Sequence, residues 1–187
     1  MSDFEARKAQ ARREGFDRRR IAHAEDPGTG AGHLSALIAG HRGVPLAGYM
    51  PIRTEINPLP AMAEASAYGP VGVPVIEGEG QPLRFALWEP EMPMISGPFG
   101  ARIPEECVFF EPEILIVPLV AFDAQGGRLG YGGGFYDRTL EALRAARATL
   151  AVGFAYAAQE ARALPLERTD QPLDLIVTEE KIIDLRC

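Results

Sequence analysis

The apolar run Ile114-Leu115-Ile116-Val117-Pro118-Leu119-Val120-Ala121-Phe122 is followed almost at once by Gly126-Gly127-Arg128-Leu129-Gly130-Tyr131-Gly132-Gly133-Gly134 and then by Phe135-Tyr136-Asp137-Arg138. Glycine at this density costs too much backbone entropy for a helix or strand interior, so the segment must be a loop. The apolar run before it reads as a buried strand, and Tyr136 to Ala148 after it as a helix. Strand, glycine loop and helix N-terminus together form the layout in which bare amide groups and the helix dipole cradle an anion. The glycines alone are equally compatible with a plain turn. Their neighbours add charge: Arg128 and Arg138 are planar forks for phosphate oxygens, worth roughly 1.5–3 kcal/mol per charged hydrogen bond. Asp137, in the first helical turn, is placed either to hold Mg²⁺ against a triphosphate or only to favour the dipole, by about 0.3–1 kcal/mol. The loop is not a Walker A motif, since no Gly-Lys-Ser/Thr closes it, and Phe135 stands where a dinucleotide fingerprint needs its third glycine.

Elsewhere helical and strand patterns alternate. Residues 3 to 24 are rich in Arg, Ala and Glu and favour a helix, with Gly15 in its interior. Asp26 to Gly30 breaks it, and Thr29 or Ser35 is a candidate cap for a shorter helix ending at Gly40. Val44 to Met50 reads as a strand ending near Arg53-Thr54-Glu55, Asn57 as the cap of a helix that starts at Pro58-Leu59-Pro60 and continues over 61–68, and 71–76 and 83–88 as strands. Residues 89 to 104, full of Pro, Gly and Met, read as a loop over a cleft. Residues 149–156 and 173–178 read as further strands, with a short helical piece at 159–164. The alternation predicts one α/β domain over 1–187, a three-layer sandwich around a mostly parallel sheet. At 187 residues such a chain buries about 70% of the surface it exposes unfolded.

Several side chains stand out. Lys8 and Arg12, four apart, share a helix face, with Arg19 on a neighbouring stripe; they are either a solvated basic face or a clamp on phosphate. Lys8 and Lys181 are the two lysines beside many arginines, so a lysine at position 8 suits a site that wants a compact point charge. Glu55, just past a strand's carboxyl end, is either solvated or a ligand contact. Trp88, the one tryptophan, either packs in the core or stacks on a flat ring.

A net charge of -7 argues against a nucleic-acid partner. Cys107 and Cys187 suggest neither a disulfide framework nor a zinc cluster, and His23, His33 and His41 fit no zinc spacing. With no signal peptide and no apolar run of membrane length, a cytoplasmic protein is expected.

The glycine segment, with Phe122-Asp123 before Gly126 and Arg128-Leu129-Gly130-Tyr131-Gly132-Gly133-Gly134-Phe135-Tyr136-Asp137-Arg138 after it, resembles the signature of the 5-formyltetrahydrofolate cyclo-ligase family, also called methenyltetrahydrofolate synthetases. Lys8 with Arg12 is similar to that family's N-terminal Lys-x-x-Leu-Arg, Met50 and Glu55 fall where it places folate contacts, and Val152-Gly153-Phe154-Ala155, Gln159, Asp170 and Asp174 to Thr178 resemble its C-terminal pattern. Ala11 replaces the usual leucine, Phe135 a frequent tyrosine, and Gly133 a position that is lysine in some members. The resemblance implies a Rossmann-like fold of the type found in sugar-phosphate isomerases and CoA-transferases. It also implies an ATP-dependent ligase of one-carbon metabolism that cyclises 5-formyltetrahydrofolate to 5,10-methenyltetrahydrofolate, with release of ADP and phosphate.

The implied path phosphorylates the formyl oxygen, and N10 then closes on the activated carbon as phosphate departs. Lys8 and Arg128 are assigned as the catalytic cations. Lys8, Arg12, Arg128, Gly130, Gly132, Gly133, Gly134, Phe135 and Tyr136 are assigned to ATP, and Met50, Glu55, Trp88 and Phe135 to the folate. Asp137 and Asp170 are assigned to Mg²⁺, and residues 1–26 form a helix that contributes to the ATP site. The protein is expected to work as a monomer or weak dimer on a small-molecule, possibly polyglutamylated, folate. Two other readings keep the same loop: a sugar-phosphate isomerase or CoA-transferase-like enzyme, and a nucleotide-binding relative without turnover.

Overall fold

The alternation of Ile114 and Ile116 with Leu115 and Val117 sends side chains to both faces of one strand, and both faces are covered. In the computed structural model, which describes residues 1–186, Ile114 and Ile116 enter one apolar cluster and Leu115 and Val117 another. Cys187 lies outside the described residues. The elements in order are α1 (Asp3–Glu25), α2 (Gly32–Ala39), β1 (Leu46–Ala47), α3 (Leu59–Ser66), β2 (Val71–Ile76), β3 (Leu83–Leu87), β4 (Met94–Ser96), β5 (Arg102–Pro104), β6 (Phe109–Phe110), β7 (Ile114–Pro118), β8 (Ala121–Phe122), β9 (Arg128–Leu129), α4 (Phe135–Ala146), β10 (Leu150–Phe154), β11 (Leu175–Val177) and β12 (Ile182–Asp184).

Eight of the strands form one sheet in the order β12-β11-β10-β7-β1-β2-β3-β6. The five from β11 to β2 are parallel; β12, β3 and β6 attach antiparallel at the edges. Helices α2 and α3 bring Leu34, Ile38, Ala61 and Met62 to one face, and α4 brings Leu140 and Leu143 to the other. This is the α/β three-layer architecture expected. From β1 the chain moves to β2 on one side and later to β7 on the other. The strand order therefore reverses between β1 and β7, and the crevice outside their carboxyl ends is where ligands of open α/β sheets bind.

Several local expectations are corrected. The strand predicted over 44–50 is only Leu46–Ala47; the Gly48 amide still donates to the Gly72 carbonyl at 2.9 Å, and the chain then leaves the sheet past α3, where a Cβ on Gly48 would lie 2.4 Å from Met62 Sδ. Glu55 therefore sits in a loop eight residues beyond β1. The apolar run 114–122 is two strands, β7 and β8, bent at Leu119-Val120. The loop predicted over 89–104 contains the β4–β5 hairpin. Neither Thr29 nor Ser35 caps α2, whose N-cap is Ala31; Pro58 is the N-cap of α3, with Asn57 Oδ1 accepting from the Leu59 amide at 3.0 Å. The helical piece at 159–164 reduces to a 3₁₀ turn at Ala157–Gln159.

Helix α1 is capped by a reciprocal pair, Ser2 Oγ accepting from the Glu5 amide and Glu5 Oε2 from the Ser2 amide. It lies mainly against the bend after β7 and the turn at Ala157–Gln159, with Ala22 reaching the cluster on the α2–α3 face. Gly15 meets the bend after β7, where an added Cβ would lie 2.8 Å from the Val120 carbonyl oxygen. At an exposed helix position Gly→Ala stabilises by about 1 kcal/mol. Gly15→Ala is expected instead to destabilise, by about 1–3 kcal/mol from overpacking, as read by urea denaturation. A gain in stability would show that the close approach is not there.

Candidate active site

The signature residues before the glycines build a turn. Asp123, buried, accepts from the amides of Gln125 and Gly127 through Oδ1, each at 3.0 Å, and Gly126 takes φ +88°, a left-handed value that favours glycine. The hairpin β8–β9 that results delivers Arg128 into the crevice. Gln159 has a matching structural part: its Nε2 donates to the carbonyls of Leu119 and Val120, pinning the same bend from the other side.

Arg128 is 6% exposed, and its Nη2 donates to Asp137 Oδ1 at 2.5 Å. Burial lowers its pKa from the ordinary value, and Asp137 and Asp170 oppose the shift, so it stays charged. Its Nε is buried without a hydrogen-bond partner. Beyond it, Gly132 and Gly134 take φ of +103° and +69°. Helix α4 has no side-chain cap, and the amides of Gly132 to Tyr136 meet no acceptor among the described residues. Those free donors beside a buried cation fit an anion of phosphate type.

Helix α1 supplies the opposite wall. Arg12 Nε donates to the Gly130 carbonyl at 2.9 Å, and its guanidinium lies 3.5 Å from where a Cβ on Gly132 would be. Lys8 Nζ is 3.3 Å from Glu167 and 3.5 Å from Asp170. The next residue after Asp170 joins this cluster to the loop, since the Gln171 amide donates to Asp137 Oδ1 at 2.9 Å. Lys8, Arg12, Arg128, Asp137, Asp170 and the glycines are thus brought together. Arg138 is turned back on Phe135, 5.1 Å from the ring centroid, with Nε and Nη2 buried and unpartnered.

A cleft of about 600 Å³ lies alongside, lined by Met50, Ile52, Arg53, Phe99, Gly100 and Arg102 among others. Phe99, at the tip between β4 and β5, meets Phe135 of the glycine loop edge-on, centroids 6.2 Å apart, so cleft and loop are continuous. Glu55 is buried against the cleft wall, where Oε1 accepts from the Ile52 amide at 2.8 Å and Oε2 from the Tyr131 hydroxyl at 3.3 Å. Burial raises its pKa to about 7, against the opposing pull of the Ile52 amide, Arg19, Tyr131 and Arg53. Tyr136 is held protonated above its ordinary pKa, chiefly by burial and then by Glu55. Trp88 does not line the cleft; it is 9% exposed and packed in the α2–α3 cluster.

Two residues of this region were not brought to Glu55 by the sequence reading. Tyr131 bonds Glu55, and Arg19, 1% exposed, bonds Tyr131. Arg19 was placed on a neighbouring stripe, yet positions 8, 12, 15 and 19 fall within about 60° of one another at 100° per residue. The available signal was Gly15 in a helix interior, which marks the face that approaches other backbone.

No three His, Cys, Asp or Glu side chains converge as a metal cage among the described residues. Asp137 and Asp170 are two carboxylates beside a phosphate cradle, which suits the one or two protein carboxylates that Mg²⁺ takes when substrate phosphates complete its shell.

The model of the 5-formyltetrahydrofolate cyclo-ligase family matches residues 5–179. A 5-formyltetrahydrofolate cyclo-ligase from Haemophilus influenzae is 44% identical over 101 residues, 51% of this chain and 54% of the relative. One from Mycolicibacterium smegmatis is 31% identical over 161 residues, 79% of this chain and 73% of the relative. The match thus spans about half the length of the first relative and nearly three quarters of the second. The NMR structure of the 5,10-methenyltetrahydrofolate synthetase of Aquifex aeolicus superposes with a TM-score of 0.79 at 28% identity, over 96% of this chain and 93% of that one. Model, relatives and fold agree, and the chain belongs to the 5-formyltetrahydrofolate cyclo-ligase family.

Proposed function

We propose that this chain uses ATP to close 5-formyltetrahydrofolate to 5,10-methenyltetrahydrofolate, with release of ADP and phosphate. The observation that carries this reading is the continuity of two unlike sites. The glycine cradle, walled by Lys8, Arg12 and Arg128, opens at Phe135 onto the cleft of Met50, Arg53 and Phe99, with Glu55 buried behind Ile52. A phosphate donor and a flat, weakly basic heterocycle held this way meet across one aromatic contact.

The chemistry requires an N-formyl oxygen to be made a leaving group, because N10 is a weak nucleophile. Phosphoryl transfer asks mainly for in-line positioning and charge neutralisation, and Lys8, Arg12, Arg128 and the free amides of Gly132 to Tyr136 supply these. Ring closure is intramolecular, so holding the folate still removes much of the entropic barrier. Glu55 takes the pterin's N–H donors, and Arg102 at the cleft suits a glutamate carboxylate of the folate tail. Asp137 and Asp170 would hold Mg²⁺, which would supply further charge neutralisation on the triphosphate. In the free protein both carboxylates are paired with Arg128 and Lys8, so binding MgATP exchanges these pairs for phosphate and metal contacts. A monomer or weak dimer in the cytoplasm is the working form under this reading.

The test mixes protein, MgATP and 5-formyltetrahydrofolate, and follows the methenyl product by absorbance and ADP by a coupled assay. One ADP per methenyl formed is the expected result. ADP release without folate points to a different acceptor and overturns the reading.

A further inference from the structure

Arg19 is among the largest fully buried side chains, and no carboxylate pairs with it among the described residues. Burying an unpaired guanidinium costs several kcal/mol in desolvation, so its contacts matter. Nε donates to Thr54 Oγ1 at 2.9 Å, Nη1 to the Leu119 carbonyl at 3.4 Å and Nη2 to the Tyr131 hydroxyl at 2.9 Å. The rings of Phe16 and Tyr131 flank it at 5.1 and 5.4 Å. These partners come from α1, from the residue next to Glu55, from the bend after β7 and from the glycine loop.

A guanidinium has no acceptor, so the Tyr131 oxygen must accept from Arg19, which leaves its proton free to donate. Glu55 Oε2, 3.3 Å away, is the carboxylate it meets. The direction of each hydrogen bond in the series Arg19, Tyr131, Glu55 therefore follows from the chemistry of its first member, and such series polarise one another.

We propose that Arg19 and Tyr131 are positioning residues for folate recognition, the guanidinium orienting the Tyr131 hydroxyl as a donor that fixes the Glu55 carboxylate for the pterin. This deepens the folate assignment of Glu55 and rests on it for its effect on turnover. It also makes α1 a shared element: the face that carries Lys8 and Arg12 to the phosphates carries Arg19 to the folate contact. The other groups facing Glu55 are the Ile52 amide and Arg53 of its own loop, Tyr136 of α4 and Tyr49 after β1. The Tyr49 hydroxyl is already committed to the Ile56 carbonyl at 2.6 Å.

The decisive variant is Tyr131→Phe, which keeps the ring beside Phe16, 5.5 Å between centroids, and removes only the hydroxyl. Arg19→Lys, which retains a charge but loses the fork, is the second. Carboxyl ¹³C NMR of glutamate-labelled protein, with the Glu55 resonance assigned by its loss in Glu55→Gln, gives the midpoint of Glu55 without substrate. Both Tyr131 and Arg19 favour the ionised form, so Tyr131→Phe is expected to raise the midpoint by about half a unit or more. In steady-state kinetics it raises KM for 5-formyltetrahydrofolate about fivefold, the worth of one hydrogen bond, while KM for ATP stays within about twofold. An unmoved Glu55 midpoint in Tyr131→Phe overturns the relay. Absence of turnover in the unaltered protein overturns the proposed reaction instead, and the titration still decides the relay.

Discussion

Arg128→Ala is expected to lower kcat/KM for ATP by about 10²–10³-fold, the usual cost of deleting a preorganised donor aimed at transition-state charge in a water-poor site. Arg128 is nearly fully buried, its Nε is uncommitted, and its one side-chain partner, Asp137, is assigned to the metal. The guanidinium is thus held beside the phosphate cradle rather than spent on the fold. Part of the cost is structural. Without Arg128, Asp137 keeps only the Gln171 amide, and a loss of about 1–2 kcal/mol in stability is expected for a partly exposed carboxylate left so. Kinetics and denaturation on the same sample separate the two. Arg128→Lys restores charge without the fork and should recover only about tenfold of the activity. Kinetics within twofold of the unaltered enzyme for Arg128→Ala would remove this residue from the site.

Glu55→Gln has two expected effects of opposite sign. It raises KM for the folate by about 10–100-fold, the range for losing hydrogen bonds to a charged acceptor, and leaves KM for ATP nearly unchanged; the reverse pattern contradicts the pterin assignment. It also flattens the pH dependence of stability. The folded protein holds a proton on Glu55 up to about pH 7, whereas the ordinary glutamate value is 4.5. A raised carboxyl pKa means that the folded state keeps a proton the unfolded chain releases, so stability is complete below about pH 4.5 and falls as pH rises through 7. The shift corresponds to about 3 kcal/mol at most. Urea denaturation at pH 5 and pH 8 should show that loss in the unaltered chain and not in Glu55→Gln. Equal pH dependence in both proteins would place the titration elsewhere. The arrangement resembles other binding sites in which a buried ionisable group costs stability until its ligand arrives.

The parts of the fold legible from sequence were those written by periodicity. Ile114 to Val117, Ala151 to Phe154 and Leu175 to Val177 alternate between the two apolar clusters, and the strands read at 71–76 and 83–88 are both present, though their antiparallel pairing was not legible. Short elements left no such trace. Phe109–Phe110 and Ile182–Asp184 become strands because the open edges of β3 and β11 offer free backbone donors and acceptors. β4 and β5 were hidden by Pro93, just before β4, and by Gly97, Pro98 and Gly100 at the hairpin tip that carries Phe99, itself at φ 59°.

The proposed phosphate wall was legible because glycines, Arg128 and Asp137 are contiguous in sequence. The proposed folate wall was less so, since Glu55, Arg19 and Tyr131 converge only through tertiary packing. Arg19 lies in a helix so rich in charge that nothing but Gly15 distinguishes its buried face. Trp88, for which core packing and ring stacking were both open, is 9% exposed and packs in the cluster with α2 and α3.

The chemical claim at the centre of this account is that the formyl oxygen leaves as phosphate. 5-Formyltetrahydrofolate labelled with ¹⁸O in the formyl group, turned over with unlabelled MgATP, should give inorganic phosphate carrying one ¹⁸O per methenyl product, as mass spectrometry reads it. Phosphate without label, with the ¹⁸O recovered in water, would mean that ATP is hydrolysed without activating the folate and would contradict the account.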